Sequence, residues 1–144
     1  MSKITGRTQA IIDMLIDNFG ESTSIKATIE KCHNPLQYIK EKNPNHLPLI
    51  LVSYAENPEY DLKLYPGKTA YEIYFMGEKV NDDSLLDLAE SVFDLFRQNP
   101  VRIYSDDETP KLVSSQKLIY QGQRFHAESD EQVIYAQRYN LLIP

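Results

Sequence analysis

The chain has 144 residues, 42% of them hydrophobic and 25% charged, the balance of a globular domain with one sizeable core and not of a disordered chain. Its net charge is −6 and its positive residues are scattered singly, which argues against sequence-specific nucleic-acid binding, because a phosphate backbone repels such a surface. A single cysteine, Cys32, excludes an intrachain disulfide and fits a reducing compartment, while no apolar run approaches the roughly eighteen residues of a membrane span.

Ser, Thr, Gly and Arg precede Ile11, so no signal-peptide core is expected. Ile4, Ile11, Ile12, Leu15, Ile16 and Phe19 fall on one stripe, with Gln9, Asp13, Asp17 and Asn18 largely opposite. That spacing predicts an amphipathic helix, closed by Gly20 in a left-handed conformation. Ser24 to Lys31 alternates, Ile25, Ala27 and Ile29 against Lys26, Thr28 and Glu30, which predicts a strand with one wet face. A short polar stretch after Asn34-Pro35, carrying Tyr38 and Ile39, has room for one or two helical turns before Asn43-Pro44-Asn45 ends it. Leu47 to Ala55 is almost continuously apolar, which predicts a central strand covered on both faces with Pro48 at its start.

Glu56 to Lys68 contains two prolines and a glycine and reads as a loop or extended hairpin arm. It nevertheless carries Tyr60, Leu62, Leu64 and Tyr65. Thr69 to Met76 is a strand, with Tyr71, Ile73 and Phe75 alternating against Ala70, Glu72 and Tyr74, and Gly77 ends it. A second helix follows. Ser84 is its expected N-cap with Asp87 three residues on, and Asp82 and Asp83 sit where the helix dipole favours negative charge. Leu85, Leu88, Ala89, Val92, Leu95 and Phe96 form its buried stripe, widened by Leu86 and Phe93, and Asn99-Pro100 stops it. Val101 to Tyr104 fits a short strand and Ser105 to Pro110 an acidic turn. Lys111 to Phe125 and Glu131 to Ile143 read as two strands of a hairpin joined by the polar segment His126 to Asp130. The last strand places Val133, Tyr135, Tyr139, Leu141 and Ile143 on one face, interrupted only by Gln137.

The elements together predict one α+β domain over residues 1–144: a mostly antiparallel sheet of about five strands with two amphipathic helices packed on one face. Ten tyrosines and no tryptophan suit half-buried strand faces and protein interfaces, since the ring is apolar and the hydroxyl polar.

Chemistry-bearing patterns are few. His33 follows Cys32, but adjacent strand residues point to opposite faces, and neither His46 nor His126 stands at helical ligand spacing from another histidine. No two of the five glycines build a phosphate-binding cluster. Asp82, Asp83, Asp106, Asp107 and Glu108 invite a magnesium reading, yet they occupy element ends and turns where solvated carboxylates are ordinary, with no general acid or base beside them. No catalytic residue, cofactor or metal ligand is expected, and the chain reads as a non-enzyme.

The order of elements resembles the tail-terminator (tail-completion) proteins of long-tailed bacteriophages. The resemblance is carried by the helix Thr8-Gln-Ala-Ile-Ile-Asp-Met-Leu and by the strand Leu47-Pro-Leu-Ile-Leu-Val-Ser-Tyr54. Tyr71-Glu-Ile-Tyr-Phe-Met before the acidic turn and the helix Ser84 to Phe96 continue it, and the closing strand Tyr135-Ala-Gln-Arg-Tyr-Asn-Leu-Leu-Ile143 completes it. The family implies a structural virion protein, a homo-hexameric ring that caps the tail tube, ends its polymerisation and forms the interface for head-tail joining. Its partners would be copies of itself, the tail tube protein and a head-completion or connector protein, in the tail-neck region of a virion assembled in the host cytoplasm. On that reading the candidate ring and tube contacts are Tyr60, Leu62, Leu64 and Tyr65 in the arm and Asp106 and Asp107 in the acidic turn. The arm reads equally as a hairpin extension over its own core. Another phage neck, connector or minor tail protein, a small enzyme using Cys32 or carboxylates, and an adaptor binding through its tyrosines are the alternatives.

Overall fold

The structure is a computed structural model and describes residues 3–32, 48–55, 68–105, 109 and 111–142. In chain order its elements are α1 (Lys3–Phe19), β1 (Thr28–Lys31), β2 (Leu49–Ala55), β3 (Lys68–Glu78), a single 3-10 turn (Lys79–Asn81) and α2 (Asp82–Gln98). Four strands follow: β4 (Val101–Tyr104), β5 (Leu112–Gln116), β6 (Leu118–Glu128) and β7 (Gln132–Leu142). The main sheet has the order β1-β2-β3-β7-β6, with β1 parallel to β2 and every other pairing antiparallel. The two remaining strands, β4 and β5, form a separate antiparallel ribbon. The expected α+β architecture is therefore present, as a mixed five-stranded sheet with two helices.

Strand alternation sorts the sheet into two apolar layers. Tyr71, Ile73 and Phe75 on β3, with Ile50 and Val52 on β2, face both helices. There they pack with Ile11, Leu15 and Phe19 of α1 and with Leu85, Leu88, Ala89, Val92 and Phe96 of α2. The intervening residues Leu49, Leu51, Tyr74, Met76, Ile134 and Ala136 cluster with Cys32 on the other face. Leu49 to Val52 are buried without exception, which is why this strand reads as an unbroken apolar run.

Several local expectations are corrected. Gly20 is not left-handed; its N–H still bonds the Ile16 carbonyl at 2.9 Å. A side chain there is excluded by room, because a Cβ would fall 2.5 Å from that same oxygen. The strand expected from Ser24 begins only at Thr28, because Lys26 adopts a φ of 55° and breaks the extended run. Ala27 nonetheless turns into the core, and its N–H reaches the Phe19 carbonyl at 2.8 Å. Gly77 does not end β3. It lies under α2, where a Cβ would stand 3.2 Å from a Leu85 methyl carbon.

The second helix starts two residues before Ser84. Asn81 is its N-cap, reached through the 3-10 turn, with Asp82 and Asp83 in the first turn and no side-chain cap bond. Its other end is capped by Asn99, whose backbone N–H and side-chain amide both donate to the Leu95 carbonyl. The stretch Lys111 to Phe125 is two strands, not one: β5 pairs with β4, β6 pairs with β7, and the chain changes sheets at Lys117. The closing hairpin is tighter than expected, since β6 runs through His126 to Glu128 and the turn spans Ser129 to Glu131.

Candidate interaction surface

The arm residues Tyr60, Leu62, Leu64 and Tyr65 and the turn residues Asp106 and Asp107 lie outside the described residues, as do His33, His46 and the short polar stretch at 34–45. Cys32 is buried in the apolar layer away from the helices. Among the described residues no group of three or more His, Cys, Asp and Glu side chains is placed to hold a metal ion, and no helix is long and apolar enough to cross a membrane. Asp82 accepts a hydrogen bond from the Tyr135 hydroxyl at 2.6 Å, so this carboxylate ties the last strand to the first turn of α2.

The sheet face turned away from the helices carries a polar cluster centred on Glu72. Registry places Glu72 opposite Arg138, and Arg124 reaches Glu72 from β6, past the bulge between Tyr120 and Gly122. Glu72 accepts from the Tyr74 hydroxyl and pairs with Arg124 at 3.3 Å and Arg138 at 3.7 Å. His126 completes the group, edge-on to the Tyr74 ring at a centroid distance of 5.0 Å. Burial and then the adjacent carboxylate push the Tyr74 phenol up to about 12, while burial and the Arg124 charge hold His126 below its ordinary value. One carboxylate shared by two guanidiniums braces β3, β7 and β6 together.

Apolar side chains left in water gather elsewhere. The β4–β5 ribbon buries Val101 and turns Tyr104, Leu112 and Val113 outwards, each more than half exposed. Tyr104 and Leu112 are direct cross-strand partners, so their side chains share one face, with Arg102 two residues along on the same side. On β6, the outer strand of the main sheet, Ile119, Tyr120 and Phe125 are also partly exposed, Ile119 and Tyr120 on opposite faces. Two bulges, a positive-φ Gly122 and the charge of Arg124 interrupt that outer strand, the devices that discourage further strand pairing.

At the opposite end of α2 lies a groove of about 480 Å³. Ile25, Pro48, Leu85 and Leu88 make its apolar floor, and Glu78 and Asp87 stand among its polar lining. Sequence reasoning did not find this groove, because its walls come from three separated segments. It did not single out the ribbon either, since a solvent-facing leucine looks like a buried one until registry is known. No protein-family model matches the chain, and no curated protein matches it.

Proposed function

We propose that this chain is a self-assembling structural protein of a bacteriophage tail, a ring-forming terminator that caps the tail tube and offers its other face to the head connector. The observation that carries the reading is the set of solvent-facing apolar side chains on the β4–β5 ribbon and on β6. Tyr104, Leu112, Val113 and Phe125 stay more than half exposed although the chain buries a full apolar layer on each face of its sheet. Apolar side chains that folding leaves in water supply what an assembly contact would bury. Three further features agree with it. The buried Gln137 and Tyr139 side chains hydrogen-bond each other and the Ala89 carbonyl, bracing the fold. The acidic balance keeps the protein from adhering to DNA passing through a ring. The order of elements is itself the one that resembles the tail terminators.

The test is assembly mass, measured in solution over a range of concentrations and again with tail tube protein present. A mass near six chains of 16.7 kDa, or rings in electron micrographs, is the expected result. A single-chain mass in both conditions contradicts the proposal.

A further inference from the structure

Within the polar cluster around Glu72, the Arg124 guanidinium is held in place but not saturated. Its contacts to the Glu72 carboxylate at 3.3 Å and to His126 Nδ1 at 3.4 Å both use Nη2. Glu72 offers it no second oxygen, because Oε1 faces Arg138, and Oε2 also accepts from the Tyr74 hydroxyl. Among the described residues the Nε–H and the Nη1 amino group of Arg124 donate no hydrogen bond. Half of the side chain lies in water. A guanidinium has donors on all three nitrogens and no acceptor, so what it can still take up is an acceptor, best an anionic one.

The approach to it is open. Registry against Asn140, Arg138 and Ala136 puts Ile119, Gly122 and Arg124 on one face of β6. Gly122 has no side chain, and a Cβ there would meet nothing within 4 Å. Ile119, 36% exposed, supplies an apolar neighbour on the same face. None of these residues lines the groove beside α2, and an open strand face does not enclose a small molecule as a concave pocket does. It suits a side chain carried in on a partner's own backbone. The bulges of β6 discourage strand addition there, so recognition runs through side chains.

We propose that Arg124 is the receptor for a glutamate or aspartate carboxylate on an acidic segment of a partner protein. The carboxylate accepts from the donors that Glu72 and His126 leave, and an adjoining apolar side chain rests on Ile119 across Gly122. Holding Arg124 through Nη2 removes beforehand part of the side-chain freedom that a loose surface arginine loses on binding. A single carboxylate is preferred to a phosphate, because Glu72, 3.3 Å from the guanidinium, opposes a dianion more strongly. The site goes beyond the self-assembly reading and does not require it.

The experiment is an NMR titration of the full chain, following the Arg124 Nε–H and the His126 ring. The probes are a short capped peptide of Glu and Ala, its counterpart with Gln in place of Glu, acetate and inorganic phosphate. A saturable shift of both signals with the Glu peptide, and none with the Gln peptide, is the expected result. The exposed Arg97 and Arg102 serve as internal controls whose signals stay in place. Arg124→Lys keeps the charge but loses the planar set of donors, and is expected to weaken the Glu peptide by about tenfold. Circular dichroism and melting establish that this variant is folded; if it is not, the Glu and Gln peptides on the wild-type chain decide. Equal responses to the two peptides, no response to either, or shifts at Arg97 and Arg102 as large as at Arg124 overturn the proposal. Phosphate bound as tightly as the Glu peptide overturns the carboxylate assignment, and acetate bound as tightly overturns the partner assignment. Assembly mass is read on the same samples: a single-chain mass with the Glu peptide bound contradicts the ring and supports this site.

Discussion

Gln137, in the middle of β7, donates its side-chain amide to the backbone carbonyl of Ala89 in α2 at 2.8 Å. The same amide donates to the Gln123 side-chain oxygen at 2.8 Å, and the Gln137 oxygen accepts from the Tyr139 hydroxyl at 2.7 Å. This glutamine is 1% exposed, so each of its polar atoms is withdrawn from water and each is satisfied. One polar residue thus fixes how the second helix sits on the sheet, where apolar packing alone leaves sliding cheap.

Gln137→Leu keeps the volume but leaves the buried Tyr139 hydroxyl without its acceptor. It is expected to destabilise the protein by about 1–3 kcal/mol in urea unfolding. Adding Tyr139→Phe removes the orphaned hydroxyl, so the double variant loses less than the sum of the two single ones. Additive losses would show that the two groups are not coupled.

Burial of the two apolar layers is the larger stabilising term. Phe96 is fully buried on α2 and meets the Tyr139 ring at a centroid distance of 5.4 Å. Phe96→Ala is expected to cost about 3–5 kcal/mol, enough to unfold many domains of this size. Val113→Ala, on the exposed ribbon, is expected to leave the unfolding free energy of the isolated chain within about 0.5 kcal/mol. Equal losses at the two sites would contradict the assignment of core and surface.

The phenols carry a pH signature. The hydrogen bond to Asp82, then burial, pushes Tyr135 up to about 12, and burial followed by Glu72 does the same for Tyr74. Burial raises Tyr139 further still. An unfolded tyrosine titrates near about 10, so the folded state holds these protons more tightly. The stability they contribute is fully present below pH 10 and is lost as pH rises through about 12. Asp82→Asn removes the largest cause of the Tyr135 shift, so the alkaline decline becomes shallower and tyrosinate absorbance appears at lower pH. An unchanged titration in that variant would exclude the Tyr135–Asp82 bond.

Gly122 and Gly77 separate two reasons for a glycine. Gly122 has a φ of +132° and open space around the position of a Cβ. Gly122→Ala is therefore expected to cost about 1–3 kcal/mol through backbone strain alone. Gly77 has an ordinary backbone but a Leu85 methyl carbon 3.2 Å from where its Cβ would stand. Gly77→Ala costs about 1 kcal/mol or more by overpacking, and Leu85→Ala relieves that clash but has no effect on the penalty at Gly122. Double-mutant cycles read the difference.

Both helices are legible in the sequence because an apolar stripe at helical spacing, as in Ile11, Leu15 and Phe19 or Leu85, Leu88 and Val92, would scatter over both faces of a strand. The central strand is legible for the converse reason: Leu49 to Val52 leave no polar side to face water. Other features depend on partners distant in sequence. Nothing near Lys117 signals that the strand on one side joins Val101–Tyr104 while the strand on the other joins Gln132–Leu142. Gln137 interrupts its strand's pattern because its partner is a helix carbonyl nearly fifty residues away. The candidate contacts chosen from sequence fall outside the described residues. The surface found instead, Tyr104, Leu112 and Val113, is hydrophobic in composition and available for contact only by exposure, which local pattern does not encode.

Adding the purified protein to polymerising tail tubes and scoring tube length in electron micrographs tests the central claim most directly. Shortened tubes, each bearing one terminal ring at substoichiometric protein, are the predicted result. Tubes of unchanged length with bare ends, at every ratio of this chain to tube protein, would contradict it.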